Sequence, residues 1–223
     1  MDHFPEFPLW KRTLDLVCVL LSLPFWLPLM GLIALGIKLV SPGPVFFRQE
    51  RIGLGGRRFM CLKFRSMRVN AGTAVHENYL KELMQSNRPM TKLDESGDHR
   101  LIPSGRFFRA TGLDELPQLF NVLRGEMSLV GPRPCTLREF ESSRLWKQKR
   151  FEAPPGLTGY WQVNGKNKTT FRQMIAMDVW YAAHMSLGLD LLILLRTPQA
   201  VVAQVFERRN GARAGRVTSE PIV

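Results

Sequence analysis

The chain has 223 residues and carries 31 Lys plus Arg against 19 Asp plus Glu, a formal net charge of +12. That length suits one domain, or one domain with a membrane segment, and the basic excess points to an anionic partner: nucleic acid, an anionic membrane face or a phosphorylated substrate. Three scattered cysteines, Cys18, Cys61 and Cys135, with no CxxC pair, argue against a disulfide framework or a zinc site and suit a reducing compartment.

From Leu14 to Val40 the only charges are Asp15 and Lys38, with Lys11 and Arg12 just before. The run is too long for a signal-peptide core and long enough to span a bilayer. Pro24 and Pro28 fall near its middle, and each removes a backbone donor. Both flanks are basic, so charge gives no orientation. A helix that enters, bends at proline and returns fits, and so does a kinked crossing helix. Ser41-Pro42-Gly43-Pro44 ends the segment.

Val45–Glu50 and Arg58–Met67 read as two strands of a hairpin around Gly53, Gly55 and Gly56. Thr73 to Ser86 reads as a helix, and Asn87 to Ser104 as a loop. Leu113–Leu123 reads as a short helix, with Pro117 tolerated only in its first turn. Val130-Gly131-Pro132-Arg133-Pro134 is a rigid loop, and Arg138 to Phe151 a charged helix. Phe171 to His184 and Leu187 to Phe206, interrupted at Pro198, complete the helices, and Glu207 to Val223 is a polar, mobile tail. The organisation expected is a membrane helix over 1–41, a catalytic domain over 42–206 and a tail over 207–223. The fold class is α+β, mainly helical, with interfacial helices packed as one compact domain.

The chemistry concentrates around Asp114 and Glu115 at the start of the Leu113–Leu123 helix, where free amides and the positive end of the dipole favour anions. One carboxylate could attack a phosphorus atom while the other holds a metal ion. A lone Asp-Glu pair is more often a helix cap. Here Lys63 and Arg65, Arg106 and Arg109, Arg133 and Lys166 accompany it beside rigid Pro/Gly turns, and arginine forks match phosphate.

The stretch from Leu113 to Pro134, LDELPQLFNVLRGEMSLVGPRP, resembles the signature of bacterial sugar transferases, the monotopic phosphoglycosyl transferases of glycoconjugate assembly. Lys63-Phe64-Arg65-Ser66-Met67, Gly156–Gly165 and Lys11-Arg12-Thr13-Leu14-Asp15 are similar to three further family blocks. The resemblance implies a re-entrant membrane helix broken at Pro24 and Pro28, with both ends cytoplasmic, on the bacterial inner membrane. It implies ping-pong transfer of sugar-1-phosphate from a UDP-sugar to polyprenyl (undecaprenyl) phosphate, the first membrane step of exopolysaccharide or other glycoconjugate synthesis. Asp114 is then the nucleophile and Glu115 a Mg²⁺ ligand. Lys63, Arg65, Arg109, Pro132, Arg133, Gln162 and Lys166 bind substrate. Family members often carry Ser-Pro where this chain has Leu27-Pro28, and arginine where it has Lys166. The minimal catalytic form can dimerise, so a homodimer is one expectation. The rival class, a membrane-tethered nucleic-acid binder, lacks zinc spacing, an RNP segment and a helix-turn-helix. An inactive scaffold is disfavoured by the intact Asp114 and Glu115.

Overall fold

The computed structural model describes residues 6–69, 71, 74–90, 100–141, 148–166 and 168–217. Helix α1, Leu9–Val40, runs through Pro24 and Pro28 without leaving helical geometry. The prolines therefore do not end the helix. Each leaves one carbonyl, those of Leu20 and Pro24, without its i+4 donor. The hydroxyl of Ser22 donates to the Cys18 carbonyl, and the Trp26 indole N–H reaches the Val19 carbonyl at 3.0 Å. One face of α1 is buried along its length, through Lys11, Asp15, Val19, Trp26, Met30, Ile33 and Ile37. The opposite face leaves Leu20, Leu21, Phe25, Leu32, Leu35 and Leu39 exposed.

The hairpin forms as expected. β1 (Phe46–Ile52) pairs antiparallel with β2 (Arg58–Phe64), with Phe47 opposite Lys63 and Gln49 opposite Cys61. Arg65 follows β2 and donates its two Nη groups to the carbonyls of Pro42 and Ser41 at 2.6 and 2.7 Å. It thereby ties the end of α1 to the hairpin. Helix α2 spans Ala74–Gln85, close to the expected Thr73–Ser86. The expected loop Asn87 to Ser104 is non-helical where described, and residues 91–99 lie outside the described residues.

The helix expected over Leu113–Leu123 is divided. A 3₁₀ turn covers Leu113–Glu115, and α4 begins only at Gln118 and runs to Arg124. Pro117 explains the division: it has no N–H to give the Leu113 carbonyl, which instead accepts from Leu116 in an i+3 bond of 3.3 Å. A short helix, α3 (Gly105–Thr111), precedes the turn and was not expected. Gly112 joins the two at φ +77°, a conformation glycine adopts at little cost.

β3 (Ser128–Val130) and β4 (Gly156–Thr158) form a short parallel pair that local pattern did not signal. Their crossing depends on absent side chains. A Cβ on Gly131 would lie 2.1 Å from the Pro154 carbonyl oxygen, and one on Gly156 would lie 2.0 Å from the Gly131 nitrogen. The helix expected over Arg138–Phe151 is represented by α5 (Leu137–Glu141) and a 3₁₀ turn at Gln148–Glu152. Residues 142–147 between them lie outside the described residues. After the short helix α6 (Tyr160–Asn164), α7 spans Phe171–His184 as predicted, started by a reciprocal capping box between Thr170 and Gln173. Helix α8 corrects two expectations: it continues through Pro198 without interruption, and it extends to Val217 rather than giving way to a tail at Glu207.

The main core lies between α1, β2, α3 and α4, where Met30, Ile33 and Ile37 meet Phe59, Phe64, Phe108, Leu119 and Val122. The base of α1 is bound by charge as well. Lys11 meets Tyr181 of α7 and Asp190 of α8, and Arg12 donates to the Val122 and Leu123 carbonyls at the end of α4. Asp15 accepts from the Ser128 hydroxyl and the Leu129 N–H of β3. Both ends of α1 thus rest on the same body.

Candidate active site

Three elements converge on the Asp-Glu turn. β2 presents Lys63, α3 ends with Arg109 in its last turn, and Gly112 turns the chain into Leu113-Asp114-Glu115. Lys63 Nζ donates to Glu115 Oε1 at 2.7 Å, across 52 residues of sequence. Asp114 is buried, whereas the Glu115 side chain is 37% exposed. The pair is therefore not equivalent: one carboxylate is sheltered within the fold and the other sits at its surface beside a cation. Because α4 starts after Pro117, the turn precedes the helix instead of forming its first residues, which corrects the helix-start placement of both carboxylates.

Arg133 belongs to an adjoining ionic cluster. Its Nη1 donates to Glu139 Oε1 at 2.9 Å, and Arg150 donates to the Arg133 carbonyl and pairs with Asp178 at 2.8 Å. Arg51 stands 3.9 Å from the other Glu139 oxygen and donates to the Pro134 carbonyl. Glu139 and Asp178 are both fully enclosed but respond oppositely. Burial disfavours the charge on Glu139, yet Arg133, Arg51 and Arg150 outweigh it and hold the carboxyl at about 2. Burial dominates at Asp178 and pushes it up to about 6 against the pull of Arg150 and Arg133. Pro132, Arg133, Arg150 and Phe151 border a cavity of about 10 Å³, room for one water.

Cys61 of β2 lies within electrostatic reach of both groups. Burial raises the Cys61 thiol above its usual range, and the charges acting on it are Lys63 and Arg51, then Glu115 and Arg133. One buried side chain therefore feels both the Lys63–Glu115 pair and the arginine cluster. Arg65 is engaged with backbone carbonyls at the end of α1. Gln162 and Lys166 line a separate open cleft of about 140 Å³ with Ala200, Ala203 and Gln204 of α8. Helix α8 packs on both α6 and α3, the helix that carries Arg109.

The family model described as bacterial sugar transferase matches residues 7–204. The chain belongs to that family. Among similar proteins, the chain is 41% identical over 209 residues to an undecaprenyl-phosphate galactose phosphotransferase of Salmonella typhimurium, covering 91% of this chain. It is 44% identical over 195 residues to a UDP-glucose:undecaprenyl-phosphate glucose-1-phosphate transferase of Caulobacter vibrioides, covering 84% of this chain and 67% of that one. It is 38% identical over 202 residues to an exopolysaccharide production protein of Sinorhizobium fredii, covering 86% of this chain and 84% of that one. The chain spans 41% of the length of the Salmonella relative, and the same share of relatives from Erwinia amylovora and Xanthomonas campestris.

No group of three or more His, Cys, Asp or Glu that could hold a metal ion occurs among the described residues. The donor set at the turn is two adjacent carboxylates. That suits a magnesium ion only if substrate phosphates and water complete its octahedron, which is magnesium's usual habit. Sequence reasoning assigned no role to Asn121, which proves to be fully buried against β2. No local signal marks it: at about 100° per residue Asn121 points well away from the apolar face of Leu119, Val122 and Leu123, where a polar residue is the ordinary pattern of an amphipathic helix.

Proposed function

We propose that this chain transfers sugar-1-phosphate from a UDP-sugar to undecaprenyl phosphate, as the names of its relatives describe for those proteins. The observation that carries the reading is the buried Asp114 set beside the Lys63–Glu115 pair within the family's signature. An Asp114 carboxylate oxygen forms a bond to the sugar-bearing phosphorus, and the bond from that phosphorus to UMP breaks. The prenyl phosphate oxygen then attacks the same phosphorus and releases Asp114. Covalent catalysis of this kind divides one difficult displacement into two. Lys63 and Arg109 offset phosphate charge, and Arg133 adds positive potential from the neighbouring cluster. Glu115 would hold Mg²⁺, which when bound supplies charge neutralisation at the phosphates. Gln162 and Lys166 face the nucleotide end of the donor.

We also infer a monotopic placement. A 32-residue helix is about 48 Å long at 1.5 Å per residue, more than the ~30 Å hydrocarbon layer. Were α1 to cross the bilayer, its two ends would lie in different compartments, yet Lys11 and Asp15 at one end and Ser41 at the other bind the same body. That supports a helix that dips into one leaflet from the cytoplasmic side, where nucleotide sugars are found. The exposed Leu187, Leu191, Leu195, Val202 and Phe206 of α8 would lie at the same surface.

The reaction is tested with protein in nanodiscs given Mg²⁺, undecaprenyl phosphate and UDP-sugars singly. UMP that appears only with lipid and with one sugar establishes the reaction and names its donor. Turnover by Asp114→Asn at the parent rate rejects the mechanism.

A further inference from the structure

We propose that Asn121 is a positioning residue that holds Lys63 on the Asp114–Glu115 turn. The inference rests on the reading of that turn as the reaction centre. One edge of β2 is paired with β1 throughout its length. The other edge turns toward α4, and a strand edge left against a helix leaves donors and acceptors unmet. Asn121 fills this role for one peptide. Its Oδ1 accepts from the Leu62 N–H at 3.0 Å, and its Nδ2 donates to the Met60 carbonyl at 2.8 Å. Accepting from one residue past Cys61 and donating to one residue before it is the pattern of a neighbouring parallel strand. The side-chain amide thus acts as a single residue of a third strand.

Its second Nδ2 hydrogen goes to Glu126 Oε2 at 2.6 Å, which leaves little freedom to rotate. The contacts close a ring. Leu62 is bonded covalently to Lys63, Lys63 holds Glu115 at 2.7 Å, and the chain from Glu115 through Pro117 returns to Asn121, which holds Leu62. β2 cannot slide along α4, and Lys63 cannot move with it, without breaking the amide pair first. A hydrophobic residue at this place would fill the volume but allow the slide.

The test uses the full chain in nanodiscs and the UMP assay, with Asn121→Asp, Asn121→Ala and the remote core variant Met174→Ala measured at a temperature where all are folded. Asn121→Asp keeps an acceptor for Leu62, loses the donation to Met60 and sets a second carboxylate against Glu126. A misplacement near 1 Å costs about 100-fold in rate, so kcat should fall by about that factor at about pH 8, with KM for the sugar nucleotide little changed. Burial raises the introduced carboxyl, so acidification to about pH 6 restores a donor, and the rate relative to the parent at the same pH should recover about tenfold. Asn121→Ala should lose as much with no recovery, and it serves if the aspartate variant fails to fold. A kcat near the parent's in either folded variant, a pH-independent ratio for Asn121→Asp, or an equal kcat loss in Met174→Ala at equal thermal stability overturns the proposal. Asp114→Asn run alongside separates the two ideas: turnover there removes the reaction centre itself, whatever the Asn121 variants do.

Discussion

Replacing Lys11 by methionine isolates the charge that anchors the base of α1. Lys11 and Asp190 are 0% and 1% exposed, and Tyr181 bonds both. Methionine preserves most of the stem volume, so the loss is that of the ammonium. Asp190 is then left buried with the Tyr181 hydroxyl as its remaining partner. Breaking a buried pair from one side costs about 3–5 kcal/mol, because the surviving charge is neither solvated nor matched. For a domain of this size each kcal/mol lowers Tm by about 2–4 °C, so Lys11→Met should melt roughly 6–20 °C below the parent. Lys11→Met combined with Asp190→Leu removes both charges and should recover most of that loss, since an apolar pair of similar volume often matches a buried ion pair. The assay is thermal unfolding followed by circular dichroism in nanodiscs. A single variant within about 2 °C of the parent, or a double variant no better than the single, would refute the reasoning.

Asp114→Asn should bind a UDP-sugar while yielding neither UMP nor a radiolabelled protein adduct from a donor labelled in the sugar. Glu115→Gln should raise the Mg²⁺ concentration needed for half-maximal rate, which a metal titration reads. The two buried carboxyls predict opposite pH effects on stability. Glu139 is held near 2, below its ordinary 4.5, so its contribution of roughly 3 kcal/mol is complete above about pH 4.5 and is lost as pH falls toward 2; Glu139→Gln should flatten that limb. Asp178 is raised to about 6 from 3.8, so its ionisation opposes folding, and stability gains as pH falls from 6 toward 4; Asp178→Asn should erase that gain in urea titrations at each pH. Gly112→Ala meets open space and only an unfavourable φ, a cost of about 1 kcal/mol, whereas Gly131→Ala drives a Cβ to within 2.1 Å of a backbone oxygen and should cost several times more. Equal losses from the two glycine variants would contradict the β3–β4 crossing.

Much of this was legible locally. Glycines between two β-rich runs announced the hairpin, and the helix read over Phe171 to His184 forms as α7 with those bounds. The candidate nucleophile Asp114 and its companion Glu115 were visible through the signature around them. Other parts were hidden for reasons of range. β3 and β4 are three residues each, too short for alternation to register, and exist because Gly131 and Gly156 allow the chains to touch. Pro117 was read as compatible with the first turn of a helix, but its missing N–H bonds the turn differently.

The sequence by itself determined the family, the apolar segment, the basic excess and the positions of the candidate carboxylates, because each is written in consecutive residues or in ordered blocks. The tertiary structure alone decided which cations are spent and on what. Arg65 and Arg133 look alike as phosphate ligands in the sequence, yet one grips the end of α1 and the other a buried glutamate. Lys63 meets Glu115, and Asn121 meets Leu62, across more than fifty residues. Such contacts follow from how β2, α3 and α4 pack around α1. No local propensity encodes them, because their geometry belongs to the packed core and not to any one segment.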